Sequence, residues 1–257
     1  MPEPLRHCEF RFYEELNDFL PPVQRKRTFE HRFAGTPSVK DRIEALGVPH
    51  TEVDLILVDE VSVDFAHLLR GGERVAVYPV FERFDLTGVT TLRPRPLRDP
   101  TFVLDVHLGR LARYLRLLGF DTRYRNDFDD TELVDISLAE HRIVLTRDTG
   151  LLKRSAVTHG AFLHETDPRR QLREVLDRFD LRSRITPFTR CARCNGLLAP
   201  IARDDALAEA PPGVARNEQF SRCRDCAQLY WPGSHLPKLS RRLSEVGVSL
   251  EVDSQEA

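Results

Sequence analysis

Nothing in this 257-residue chain is long and apolar enough to cross a bilayer, since no hydrophobic run reaches the roughly 18 residues a spanning helix needs. The start, MPEPLRHCEFRFYEE, lacks the basic-then-apolar pattern of a secretory signal, so a soluble cytoplasmic protein is the expectation, with no membrane partner. Internal repeats and low-complexity tracts are absent, and three prolines between 94 and 100 discourage regular structure there. Apolar residues are not scarce. At 41% hydrophobic and 30% charged, the composition supports a globular core and excludes wholesale disorder. Net charge is scarce, at −2, but it is unevenly spread. Residues 1–92 carry −5, residues 93–190 carry +4 and residues 191–257 carry −1. The cations of the middle segment are nearly all arginine, whose forked guanidinium suits phosphate. That segment reads either as a nucleic-acid surface or as a solvated face of ion pairs. Cysteines are few too, and four of the five fall in two C-x-x-C pairs.

Along the N-terminal segment, residues 9–13 and 27–33 alternate apolar and polar, the period of half-buried strands. Ser38 can cap a helix over 39–46 whose Val39, Ile43 and Leu46 share a face, with Gly47 ending it. Further strands are expected at 52–58 and, after a Gly71-Gly72 turn, at 73–78. Strand, strand, helix, strand, strand is the order of a β-grasp (ubiquitin-like) fold. The stretches VKDRIEALGVP and LLRGGERVAVYPVF resemble sulfur carriers and ubiquitin-like proteins of the ThiS/MoaD kind. A carrier ends in a free Gly-Gly, whereas here Gly71-Gly72 is internal and precedes a strand. The segment is therefore read as a binding or scaffolding module for a protein partner. Cys8 is read as a strand residue.

The sequence after 100 alternates short apolar strands with amphipathic helices, the pattern of a parallel α/β domain. Strands are expected at 102–104, from 120, at 143–146 and at 161–164. Helices are expected after Asp105, from Asp129 or Asp130 to about Glu140, from Thr149, and from Pro168 to Phe179. In the first helix Leu108, Leu111, Leu115 and Leu118 share a face, and Arg110, Arg113 and Arg116 are assigned to the other. Ligands of parallel sheets bind outside the carboxyl ends of the strands, where Asp105 and Asp148 lie, with Asp130 at a helix start. Carboxylates gathered there can hold Mg²⁺ or Mn²⁺, which activates water and neutralises phosphodiester charge. Each also has an ordinary reading as a helix cap or turn residue.

Cys191-Ala-Arg-Cys194 and Cys223-Arg-Asp-Cys226 have the spacing of two knuckles closing one structural Zn²⁺ site, with a redox dithiol as the alternative. Tyr230 and Trp231, beside the second knuckle, read either as ribbon core or as stacking platforms for unpaired bases. His235 is a candidate RNA contact, and 202–219 reads as a loop between the knuckles.

The stretch DVHLGRLARYLRLLGFDT…DDTELVDIS…RIVLTRD, together with FTRCARCNGLL and CAQLYWPGSH, resembles the Mut7-C RNase family, a branch of the PIN-like nucleases. The resemblance runs from about 102 to 235, and an N-terminal ubiquitin-like domain is a companion of such domains. It implies a metal-dependent ribonuclease acting on RNA, with Asp105, Asp130 and Asp148 as catalytic metal ligands and Asp129 as a further candidate ligand. Arg110, Arg113, Arg147 and Lys153 are candidate nucleic-acid contacts. The competing reading is a non-catalytic RNA-binding or ribosome-associated adaptor. The expected organisation is a ubiquitin-like domain over 1–90, a linker over 91–100, a nuclease domain over 101–187, a zinc ribbon over 188–240 and a tail over 241–257.

Overall fold

The computed structural model describes residues 5–79, 92, 100–211, 214, 219–233 and 236–248. Contacts divide the chain into two compact units, one from 1–99 with 130–162 and the other from 100–129 with 163–257. Among the described residues no helix is long and apolar enough to cross a membrane.

In the first unit, strand β1 (Arg6–Phe12) buries Cys8, Phe10 and Phe12, every second residue, as the pleat requires. It pairs antiparallel with β2 (Phe29–Phe33). Helix α1 (Val39–Ala45) follows, opened by a capping box in which Ser38 Oγ accepts the Asp41 N–H and Asp41 returns the bond to the Ser38 N–H. Strands β3 (Val53–Val58), β4 (Val61–Ser62) and β5 (Arg74–Pro79) complete a sheet of order β2-β1-β5-β3-β4, with β1 parallel to β5. Val39 and Ile43 of α1 join Phe10, Phe12, Ile56, Val75 and Val77 in one core. This is the expected β-grasp, with the short β4 added. Gly71 and Gly72, at φ +98° and +93°, form the turn into β5, and the Gly72 N–H donates to the His7 carbonyl at 2.7 Å. The pair is thus built into the sheet. The expected linker falls mostly outside the described residues.

The next strands and helices alternate as read from the sequence. They are β6 (Phe102–Leu104), α2 (Gly109–Leu117), β7 (Thr122–Arg123), α3 (Asp130–Glu140), β8 (Ile143–Thr146), α4 (Thr149–Leu152), β9 (Gly160–Phe162) and α5 (Pro168–Arg178). β6 and β7 pair in parallel, as do β8 and β9. Both β6 and β8 are buried throughout, the mark of strands covered on two faces. A 3-10 turn, Val106–Leu108, separates Asp105 from α2, and Leu108, Leu111, Leu115 and Leu118 are all buried as expected. Arg116 departs from expectation: it is buried at 3% exposure.

In the first unit the 130–162 segment packs on the β-grasp. Phe162 meets Phe19 edge-on at 5.4 Å, and the Phe162 N–H donates to Glu52 Oε1 at 2.6 Å. His50, buried, reaches Glu44 Oε1 through Nδ1 at 2.7 Å and the Val157 carbonyl through Nε2 at 2.9 Å.

In the second unit, β10 (Leu198–Ile201), β11 (Phe220–Cys223) and β12 (Leu229–Tyr230) form an antiparallel ribbon. The stretch expected as a loop between the knuckles contains helix α6 (Arg203–Glu209). Asp204 and Asp205 favour its N-terminal turn electrostatically, and Ala206 gives it a buried anchor. The residues from 241, expected as tail, continue helix α7 (Leu236–Ser244), and Leu243, Val246 and Val248 are buried. Residues 250–257 and His235 lie outside the described residues.

Candidate metal centre and strand-end carboxylates

The two knuckles come from distant segments, yet the ligand atoms of Cys191, Cys194, Cys223 and Cys226 all lie within 4.8 Å of one another. Cys191 Sγ is 3.6 Å from Cys226 Sγ, and Cys194 Sγ is 3.4 Å from Cys223 Sγ. Sulfurs about 2.3 Å from a tetrahedral zinc stand about 3.8 Å apart, so the set fits a soft ion with no coordination position left over. It is the one such group of three or more among the described residues.

What surrounds the thiols explains their arrangement. Asn195, at φ +77°, and Gly196 turn the chain directly after Cys194. A β-carbon at Gly196 would stand 2.9 Å from Cys223 Sγ, so only glycine lets the second knuckle close. Asn195 is buried and ties the ribbon to β7: its Oδ1 accepts the Thr122 N–H and its Nδ2 donates to Asp121 Oδ1, both at 2.9 Å. Arg190 meets Asp121 Oδ2 at 3.0 Å.

Arg116 enters the same structure from α2. Its Nε donates to the Thr122 carbonyl at 2.9 Å, Nη1 to the Arg193 carbonyl at 2.9 Å and, at 3.5 Å, to that of Ala192, and Nη2 to the Tyr124 carbonyl at 3.3 Å. Burial lowers its pKa, while the Cys194 and Cys191 sulfurs and Asp121 oppose that shift. A zinc tetrathiolate has a formal charge of −2, and this guanidinium lies where it offsets it. At about 100° per residue, position 116 falls on the flank of α2, between the leucine face and the arginine face. The first knuckle covers that flank, which local periodicity does not reveal.

Tyr230 Oη contacts Cys191 Sγ at 3.1 Å. Burial pushes the Cys191 thiol up, but Tyr230 and the backbone N–H groups of Cys194 and Arg193 bring it down to about 7. Burial pushes Cys194 up to about 12, and its sulfur neighbours push the same way. Tyr230 is thus neither plain ribbon core nor a free platform.

The carboxylates occupy the positions read from the sequence. In the second unit, Asp105 directly follows β6, and its side chain does not cap the turn after it. Burial raises the Tyr124 phenol pKa, Arg116 lowers it and the Asp105 charge raises it. Asp129 lies just before α3 and is exposed.

In the first unit, Asp130 opens α3 and pairs with Arg154 at 2.7 Å, both about half exposed. Asp148, two residues past β8, caps α4 by accepting the Gly150 N–H on Oδ1 at 2.7 Å. Oδ1 of Asp130 and Oδ2 of Asp148 have no partner among the described residues, and hard-cation ligation uses such oxygens. Arg147 is half-buried between β8 and Asp148. Lys153 Nζ donates to the Glu44 carbonyl at the end of α1, at 2.8 Å.

Residues 6–85 match the family model described as Mut7-C ubiquitin. No curated protein and no solved structure matches the chain. Residues 100–243, more than half of the chain, match the model described as Mut7-C RNAse domain, and the chain belongs to that family.

Proposed function

We propose that the chain is a metal-dependent ribonuclease of PIN-like type, working in the cytoplasm. The observation that carries this reading is the family match over 100–243. The positions of Asp105 and Asp148, each directly after or close behind the end of a parallel strand, support it.

In this reading Asp105, Asp130 and Asp148 hold Mg²⁺ or Mn²⁺, with Asp129 beside Asp130 as a further ligand. When bound, the ion supplies charge neutralisation at a phosphodiester and activates a water for its hydrolysis. The chain's own residues do the rest. Asp148 is fixed in rotamer by its bond to the Gly150 N–H, which aims its other oxygen. Arg154 is a surface partner of Asp130, and such exposed pairs open at little cost. Arg110, Arg113 and Arg147 contact the phosphates. Lys153 joins them only by leaving the Glu44 carbonyl. The four cysteines hold a structural Zn²⁺, as reduced thiolates do in a cytoplasmic setting. The β-grasp domain is a scaffold and a surface for a protein partner.

The test is cleavage of labelled RNA by the purified chain with Mn²⁺ or Mg²⁺. Asp105→Asn and Asp148→Asn are each expected to lower the rate by about 100-fold or more, on the order of one lost electrostatic contribution to the transition state. Asn variants that cut as fast as the parent would end the nuclease reading and leave an RNA-binding adaptor.

A further inference from the structure

A cavity of about 670 Å³ opens in the second unit where α2, the ribbon and α7 meet. On the α2 side it is lined by Arg110, Arg113, Tyr114 and Leu117, which stand at i, i+3, i+4 and i+7 and so form one stripe of the helix. Lys238 and Arg242 face it from α7, four residues apart. Arg190 also lines it but is held by Asp121. Among the described residues, Arg110, Arg113, Lys238 and Arg242 make no ion pair, and no carboxylate lines the cavity.

Four aromatic rings stand among its apolar lining. Tyr114, Phe188, Tyr230 and Trp231 all contribute, and Phe188 is 38% exposed. Tyr230 cannot swing freely, because its hydroxyl is tied to Cys191 Sγ. Cations around fixed ring faces are the recipe for gripping an unpaired strand: phosphates meet the charges and bases stack on the rings. A duplex hides its base faces and presents only backbone, 2′-hydroxyls and groove edges. Arg110 lies five residues after Asp105, in the first turn of α2.

We propose that this cavity binds single-stranded nucleic acid, with an unpaired base stacked on Trp231 and neighbouring phosphates held by Arg110 and Arg113 on one wall and Lys238 and Arg242 on the other. The proposal deepens the nuclease reading by naming the form of its substrate, unpaired strand, but binding here does not depend on cutting.

The experiment uses the full zinc-loaded chain and a short fluorescein-labelled single-stranded RNA of mixed sequence, read by anisotropy across a salt series without added Mg²⁺ or Mn²⁺. The double variant Arg110→Glu, Arg113→Glu is expected to bind at least about tenfold more weakly, and the slope of log affinity against log salt to fall by about 0.7 for each phosphate no longer neutralised. Lys238→Glu with Arg242→Glu, on the exposed side of α7, should act the same way without touching the ribbon. Trp231→Ala should cost roughly 5- to 100-fold and Trp231→Phe should restore most of it, as stacking requires. Zinc content of each variant, measured by metal analysis, separates weakened binding from a damaged fold. Unchanged affinity and slope in both charge-reversal pairs would overturn the proposal. So would competition by duplex RNA, or by polyglutamate, as strong as that by single-stranded RNA. Cleavage of the same RNA with Mn²⁺ is scored separately. A chain that binds as described but never cuts refutes the nuclease reading and leaves the cavity standing, whereas Asp105→Asn that still binds and no longer cuts upholds both.

Discussion

Consider Arg116→Met, which keeps an unbranched apolar stem and removes the guanidinium. Two well-formed bonds vanish, to the Thr122 and Arg193 carbonyls at 2.9 Å, along with two longer ones to Tyr124 and Ala192. Bonds from a charged donor contribute about 1.5–3 kcal/mol each, so the two good ones amount to roughly 3–6 kcal/mol. Against this, methionine spares the chain the cost of burying a charge, which is several kcal/mol for an unpaired ion. The thiolates and Asp121 offset part of that cost without outweighing burial, and the Thr122 and Arg193 carbonyls left without their donor add to the loss. A net destabilisation of about 2–4 kcal/mol is expected, read as a lower urea midpoint with unchanged slope. Zinc affinity, read by competition with a chromogenic chelator, should fall by about 10- to 100-fold, the usual consequence of removing a group that supports metal ligands. Arg116→Lys should recover part of the charge effect but not the fork of bonds to two separate backbone segments. If Arg116→Met binds zinc within about threefold of the parent and unfolds at the same midpoint, the guanidinium does not organise the knuckle and this reasoning is wrong.

Gly196→Ala places a methyl group against Cys223 Sγ and Asp225, and should lower zinc occupancy after purification while leaving the secondary-structure signal of the α/β elements in place; full occupancy would contradict the close-approach argument. The Cys8 thiol is held up at about 12, first by burial and then by its bond to Glu73, so it should resist alkylation at pH 8 until the protein unfolds. Because that folded-state pKa is raised, the stability it carries is complete below about pH 9 and is lost as pH rises toward 12; Cys8→Ser keeps a donor to Glu73 and should lose this part of the alkaline decline, and a parent-like pH profile would count against it. His50 has acceptors at both ring nitrogens, so His50→Ala should strand the Val157 carbonyl and cost about 2–4 kcal/mol of stability, with faster amide exchange around 157–162 as the signature; unchanged exchange would mean the segment is held by other contacts.

The sequence alone determined the features whose cause is local. Alternation in β1, the Ser38–Asp41 capping box, the leucine face of α2 and each C-x-x-C knuckle by itself all follow from residues a few positions apart. Strand-to-helix alternation likewise suffices to put Asp105 and Asp148 near strand ends. Tertiary structure decided what lands on a given surface. Grouped with Arg110 and Arg113 opposite the leucines, Arg116 is expected in solvent, yet it stands on the flank of α2, and the first knuckle, some 75 residues later, closes over that flank and makes the cation an internal brace. Lys153 reads as a phosphate contact, and the fold gives its ammonium a bond to the Glu44 carbonyl at the end of α1. Tyr230 and Trp231 are adjacent in sequence and both line a cavity whose far wall is α2, but Tyr230 is also bound to a thiol brought from the other knuckle. A helix position fixes the direction of a side chain, whereas burial and charge depend on what the rest of the chain packs against it, and only the folded molecule contains that information.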